Sequence, residues 1–221
     1  MKDFFLENNI KGIIFDCDGV LVDSEKLSCK ALNVVFEKHF NIDIGTDYSK
    51  VIGKALKDSF AYYFTTFNVD IDSSIDLRIL YQEKDTAYQN LAINNLKSFP
   101  GVIELLNFLQ KTTLKFTVAS SGTHEKILFN LEQGRLKKYF SIITSADEVT
   151  NGKPQPDLFL LSAKKLNLEP ESCLVIEDSI SGIKAAKSAN MLAIGVTNTF
   201  DSKSLQEAGA DKIIERLDEL L

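Results

Sequence analysis

Short apolar runs recur along the chain at residues 12–15, 116–119, 142–143, 174–176, 192–196 and 212–214. Most are continuous rather than alternating, the pattern of strands covered on both faces. Between them lie segments with helical spacing of apolar positions, at 102–109, 125–136, 158–166 and 180–189. Strand alternating with helix predicts an α/β fold, a Rossmann-like three-layer core with a parallel sheet and crossover helices. One interval breaks the rhythm. Helical character over 25–39, 56–67 and 74–96 fills the space before the strand at 116, too much chain for one crossover. The spacing therefore predicts an inserted all-helical domain over residues 24–95, interrupting a core made of 1–23 and 96–221. The turn "SFPGV" at 98–102 restarts that core.

Composition narrows the function. The 221 residues are 44% hydrophobic and 25% charged, enough to bury a real core. A net charge of −6 argues against general affinity for nucleic acid or an anionic membrane, so an anionic ligand has to be met by local chemistry. Cys17, Cys29 and Cys173 are widely spaced with no CxxC, which suggests neither a disulfide framework nor a zinc site. Charges break the N-terminal stretch before an apolar core of signal-peptide length accumulates, and nowhere do eighteen apolar residues run together. The expectation is a soluble protein of the reducing cytoplasm.

The candidate chemistry lies at the strand ends. In "IIFDCDG" the side chains of Asp16 and Asp18 share a face of an extended chain and Cys17 points the other way. Open parallel sheets bind ligands beyond the carboxyl ends of their strands, where Asp16 sits. A turn built on Asp18–Gly19 is the plainer alternative. After the strand at 116 come Ser120, Ser121, Gly122 and Thr123, donors for a phosphate or caps for the next helix. After the strand at 174 come Glu177, Asp178 and Ser179, again either site residues or caps. Lys153 stands in "NGKPQPDLF", a loop held by Pro154 and Pro156, with Asp157 opening the next helix; a solvated lysine is the plainer alternative. These signals fall at one end of one sheet, and their coincidence favours a joint site.

Two unit charges about 4 Å apart repel by on the order of 4 kcal/mol at an effective dielectric near 20. Asp16, Asp18, Asp178 and Glu177 together therefore call for a cation, and an all-oxygen set suits Mg2+ bound with a substrate phosphate. Lys153 and the Ser120 hydroxyl add positive character to a phosphoryl pocket. Asp16 can attack phosphorus as a nucleophile, and Asp18 can protonate the leaving oxygen and later activate water.

The segments "DCDGVLVDSE", "VASSGT", "GKPQPDLF" and "VIEDSISGIKAA" resemble, in order and across the core, the four motifs of the haloacid dehalogenase-like superfamily. The chain is similar to the branch with a helical cap inserted after the first motif, which includes beta-phosphoglucomutase-like and phosphoglycolate phosphatase-like proteins. The resemblance implies Mg2+ held by Asp16, the backbone carbonyl of Asp18 and Asp178, with Glu177 nearby. It also implies phosphate contacts from Ser120 and Lys153, with Ser121 and Gly122 beside them, and a monomer as the default. Dehalogenase chemistry is disfavoured, because the phosphotransferase members carry the second aspartate that Asp18 matches.

The beta-phosphoglucomutase-like proteins carry a cap arginine and a histidine that serve the mutase reaction, and those positions fall on Leu56 and Ser28 here, with Lys54 and Lys57 flanking the first. The expectation is a phosphatase acting on a small phosphorylated metabolite, with a mutase or a non-catalytic phosphate-binding regulator as alternatives. Ser24, Lys50, Lys54, Lys57 and Tyr62 are the candidates for substrate selection. His39 and His124 are expected to be structural or surface residues, and Phe60, Tyr62, Tyr63, Phe64 and Phe67 to form the core of the inserted domain.

Overall fold

A computed structural model of the protein describes residues 8–48, 50–51, 56–71 and 75–221. They form two compact units, one built from the chain up to Asp23 together with Lys97–Leu221, the other from Ser24–Leu96. The second unit holds helices α1 (Glu25–Phe40), α2 (Leu56–Thr66) and α3 (Leu77–Ala92). Its core is aromatic: the ring of Phe36 lies 5.4–5.6 Å from those of Phe40, Phe60, Tyr63 and Phe64. Phe60, Tyr63 and Phe64 are buried as expected, whereas Phe67 is exposed, because it follows the end of α2 and leaves the helix face that packs inward. Lys84 of α3 is buried and donates to Ser28 Oγ of α1 at 2.8 Å.

The other unit is built on six strands, β1 (Gly12–Phe15), β2 (Lys115–Ser120), β3 (Ile143–Ser145), β4 (Cys173–Glu177), β5 (Leu192–Val196) and β6 (Lys212–Ile214). Every pairing is parallel, in the order β3-β2-β1-β4-β5-β6. Helices α4 (Val102–Leu109), α5 (His124–Gln133), α6 (Asp157–Leu166), α7 (Ile180–Ser188) and α8 (Ser202–Glu207) connect them. This is the α/β fold the sequence predicts. β1 is flanked on both edges, with Phe15 opposite Val118 on one side and Ile176 on the other, so all four of its residues are buried and the run is unbroken. The strand order reverses between β1 and β4, where a parallel sheet opens a crevice at its carboxyl end.

Differences from expectation are local. The strand predicted at 142–143 is displaced to Ile143–Ser145. The helix predicted to reach 136 ends at Gln133, because Arg135 takes a left-handed conformation (φ 59°) that turns the buried Leu136 back onto the core. Helix α8 is not marked by periodicity because it has six residues, and Asp201 starts it by accepting from the Ser204 amide. Among the described residues no helix is long and apolar enough to cross a membrane.

Ile14 is fully buried in the cluster with Val175, Phe159 and Ile183 beneath α6 and α7. Replacing Ile14 with Ala should lower stability by about 2–5 kcal/mol through lost burial and a residual cavity. Chemical denaturation followed by far-UV circular dichroism measures this; a shift under about 1 kcal/mol would mean that the centre of the sheet can collapse around the gap.

Candidate active site

The Asp16 amide donates to the Ile176 carbonyl at 3.0 Å, so sheet pairing extends one residue past β1 and fixes where the carboxylate emerges. Lys153, in the loop between β3 and α6, reaches it from the side: Nζ lies 2.5 Å from Asp16 Oδ1 and also pairs with Glu177 Oε1. Its side chain is 5% exposed and Nζ stands 5.0 Å from the centre of the Phe159 ring. A solvated lysine is thereby ruled out at this position. Burial works to lower the Lys153 ammonium, but Asp16 and Glu177 outweigh it and hold the group above its ordinary value.

Glu177 is fully committed. Its Oε2 accepts from the amides of Asp178 at 3.0 Å and Ser179 at 2.8 Å, and from the Ser179 hydroxyl at 2.8 Å. The carboxylate presses against Gly182 in the first turn of α7, where a Cβ would stand 1.9 Å from its carboxyl carbon. Asp178, also buried, accepts at Oδ2 from the Thr199 hydroxyl. It packs on Gly19, whose φ of 83° and missing side chain are both required, since a Cβ would lie 1.9 Å from Asp178 Oδ2. The Gly19 carbonyl is held in turn by Asn198 Nδ2 at 2.8 Å.

Asp18 turns toward α5. Asn130 Nδ2 donates to Oδ1 at 2.9 Å and Lys126 Nζ to Oδ2 at 3.1 Å, with Ser120 Oγ at 3.4 Å from the same oxygen. Ser120 is buried and accepts from the Gly122 amide at 3.1 Å. Cys17 points into the core, and burial, reinforced by Asp18 and Asp16, pushes its thiol well up, so it stays neutral and is no nucleophile.

The structure thus brings Asp16, Lys153 and Glu177 into direct contact and sets Asp18 beside Ser120. Ser121 is exposed and Gly122 partly buried in the loop after β2. Both plainer alternatives also hold, for neighbouring residues: Thr123 accepts from the Lys126 amide and starts α5, and Ser179 accepts from the Gly182 amide and starts α7. His39 pairs on the surface with Glu83 at 2.7 Å, and the backbone amide of His124 donates to Asp147 Oδ2 at 2.8 Å. Lys50 and Lys57 are exposed, Tyr62 is partly buried and Ser24 is buried, while Lys54 lies outside the described residues. Sequence reasoning missed Lys126, Asn130, Asn198 and Thr199. For Asn130 a signal existed: it stands between Ile127 and Leu131 on the apolar face of α5, an unusual place for an amide.

Burial pushes the Asp16 carboxyl up to about 8, with Glu177 and Asp18 adding to the rise and Lys153 opposing it without cancelling it. The environment therefore fits a further cation. Among the described residues no three Asp, Glu, His or Cys side chains form a cage for a metal ion.

A buried lysine shared by two acids converges, at the carboxyl end of the parallel sheet, with a serine and a second aspartate. The chain matches the family of haloacid dehalogenase-like hydrolases over residues 13–196 and belongs to that family. The phosphorylated carbohydrates phosphatase of Thermotoga maritima is 33% identical over 208 residues, covering 93% of this chain and 94% of that protein. The phosphoglycolate phosphatase of Salmonella typhimurium is 29% identical, across 96% of this chain and 92% of that one. Among solved structures, the beta-phosphoglucomutase of Clostridium difficile matches with a TM-score of 0.80 at 28% identity, over 96% of this chain and 93% of that chain. The chain is an enzyme, a hydrolase of the phosphatase type.

Gly182→Ala tests the packing at Glu177. An alanine in a helix ordinarily gains about 0.5–1 kcal/mol over glycine. Here the added carbon has to displace a buried, hydrogen-bonded carboxylate, so the expected result is a net loss of about 1–3 kcal/mol, read by chemical denaturation. A stabilised variant would show that Glu177 can move at little cost.

Proposed function

We propose that the protein is a Mg2+-dependent phosphatase that hydrolyses a small phosphorylated metabolite, of the sugar phosphate kind, through an aspartyl-phosphate at Asp16. The observation that carries this reading is the buried Asp16–Lys153–Glu177 arrangement at the end of β1. The phosphorylated carbohydrates phosphatase named above supports the substrate class. A net charge of −6 argues against general affinity for nucleic acid or an anionic membrane, and the reading takes a small cytoplasmic metabolite as the partner of a monomer.

An Asp16 carboxylate oxygen attacks phosphorus, and the bond from phosphorus to the ester oxygen breaks. Asp18 gives that oxygen a proton as it leaves, then takes one from the water that attacks the phosphorus of the acyl phosphate. The bond to Asp16 breaks, its carboxylate is restored and inorganic phosphate departs. Lys153 sits against the attacking carboxylate and offsets charge on the transferring oxygens, and Ser120, with the loop donors Ser121 and Gly122, orients them. Asp16, Asp178 and the Asp18 carbonyl are the groups for Mg2+, which when bound draws charge from the phosphoryl oxygens. Glu177 holds Lys153 rather than the ion, since its Oε2 already accepts three donors. Residues 24–96 serve as the cap and contribute substrate selection. Against a mutase stand the aliphatic Leu56 and a Ser28 hydroxyl engaged by Lys84.

Phosphate release from a panel of sugar and short-chain phosphates should require Mg2+ and stop on chelation. Asp16→Asn should lower it by about a thousandfold or more, as loss of a covalent nucleophile does. Interconversion of glucose 1- and 6-phosphates without net release would make the enzyme a mutase, and no turnover with any divalent ion would make it a binding protein.

A further inference from the structure

Helix α5 carries two polar side chains toward the site. Lys126 and Asn130 are four residues apart and share a face. That face is otherwise the buried one, with Ile127 and Leu131 fully enclosed, and Asn130 is itself fully buried. An amide placed there costs about 1–3 kcal/mol unless it is paired. Asn130 Nδ2 is paired, at 2.9 Å to Asp18 Oδ1, and its side chain also meets the Cys17 thiol. Lys126 Nζ takes the other oxygen, Oδ2, at 3.1 Å. Its aliphatic stem passes over Gly122, where a Cβ would stand 3.3 Å from Cδ, so the loop after β2 leaves room for that reach. Each oxygen of Asp18 thus has a donor from the same helix, and two points of attachment fix a planar carboxylate.

We propose that Lys126 and Asn130 are positioning residues that hold Asp18 in the orientation from which it exchanges its proton with the leaving oxygen. The assignment rests on the reading of Asp18 as the acid and base. Asp18 needs such support because it opens a tight turn with Gly19 at φ 83°, so neither β1 nor a following helix fixes its side chain. Neither positioning residue has to touch substrate. A misplaced proton donor is felt most where the leaving oxygen needs the proton most, in an alkyl or sugar phosphate, and least with p-nitrophenyl phosphate, whose leaving group departs as an anion.

The test is kcat/KM, which reports transfer to Asp16, measured for both leaving groups in Lys126→Met, Lys126→Arg, Asn130→Leu and Asp18→Asn. Asp18→Asn should lower the alkyl phosphate value by about a hundredfold or more and the aryl value far less. Lys126→Met and Asn130→Leu should reproduce that asymmetry at about tenfold, with Lys126→Arg restoring most of it. If Asp18→Asn shows the asymmetry and Lys126→Met lowers both substrates equally, or neither, the positioning role is wrong while the Asp18 reading stands. If Asp18→Asn itself shows no asymmetry, the acid/base reading fails and the proposal falls with it. Lys126 is partly exposed, so Lys126→Met decides even where Asn130→Leu does not fold.

Discussion

The arrangement on which the site depends is one ammonium group shut away from water between two carboxylates. Removing an ion from water costs several kcal/mol, and a buried pair recovers this only where the remaining hydrogen-bonding capacity is also met. Around Lys153 it is met. Glu177 spends its second oxygen on two backbone amides and a hydroxyl at the head of α7, and the Phe159 ring presents its face to Nζ. The groups that complete the balance come from three distant stretches of chain, at residues 16, 153 and 177–179, and the sheet order brings the strand ends among them together. Burial still pushes the Asp16 carboxyl up, with Glu177 and Asp18 adding to the rise against Lys153.

Much of the fold was legible because it is written in continuous apolar runs. A strand buried on both faces has no reason to alternate, and β1, β4 and β5 announce themselves accordingly. Helix ends were read less well where a single residue in a left-handed conformation decided the matter, as at Arg135. The short α8 was invisible because six residues do not complete two turns of a pattern.

Within the site, residues at strand ends were legible and residues that reach in from helices and loops were not. Asp16, Ser120, Glu177 and Asp178 are found by asking where a strand stops. Thr199 and Asn198 sit in "VTNTF", whose composition is that of any surface turn, and only its return toward Gly19 and Asp178 gives it meaning. Capping and a place in the site are compatible uses of one loop. Thr123 and Ser179 start helices, while Ser120, three residues before the one, lies beside Asp18, and Asp178, next to the other, accepts from Thr199.

Gly12–Phe15 lies in the middle of the sheet, between partners that begin about 100 and 160 residues later in the chain. It therefore spends most of synthesis as an unpaired apolar segment, and its pairings are the slow, long-range kind. Asp16 gains its lysine only once residue 153 has been made and its inner edge only once β4 is in place. A truncated or half-made chain accordingly holds Asp16 without the lysine and the sheet edge that enclose it in the folded protein, so this buried arrangement is among the last parts of the molecule to form.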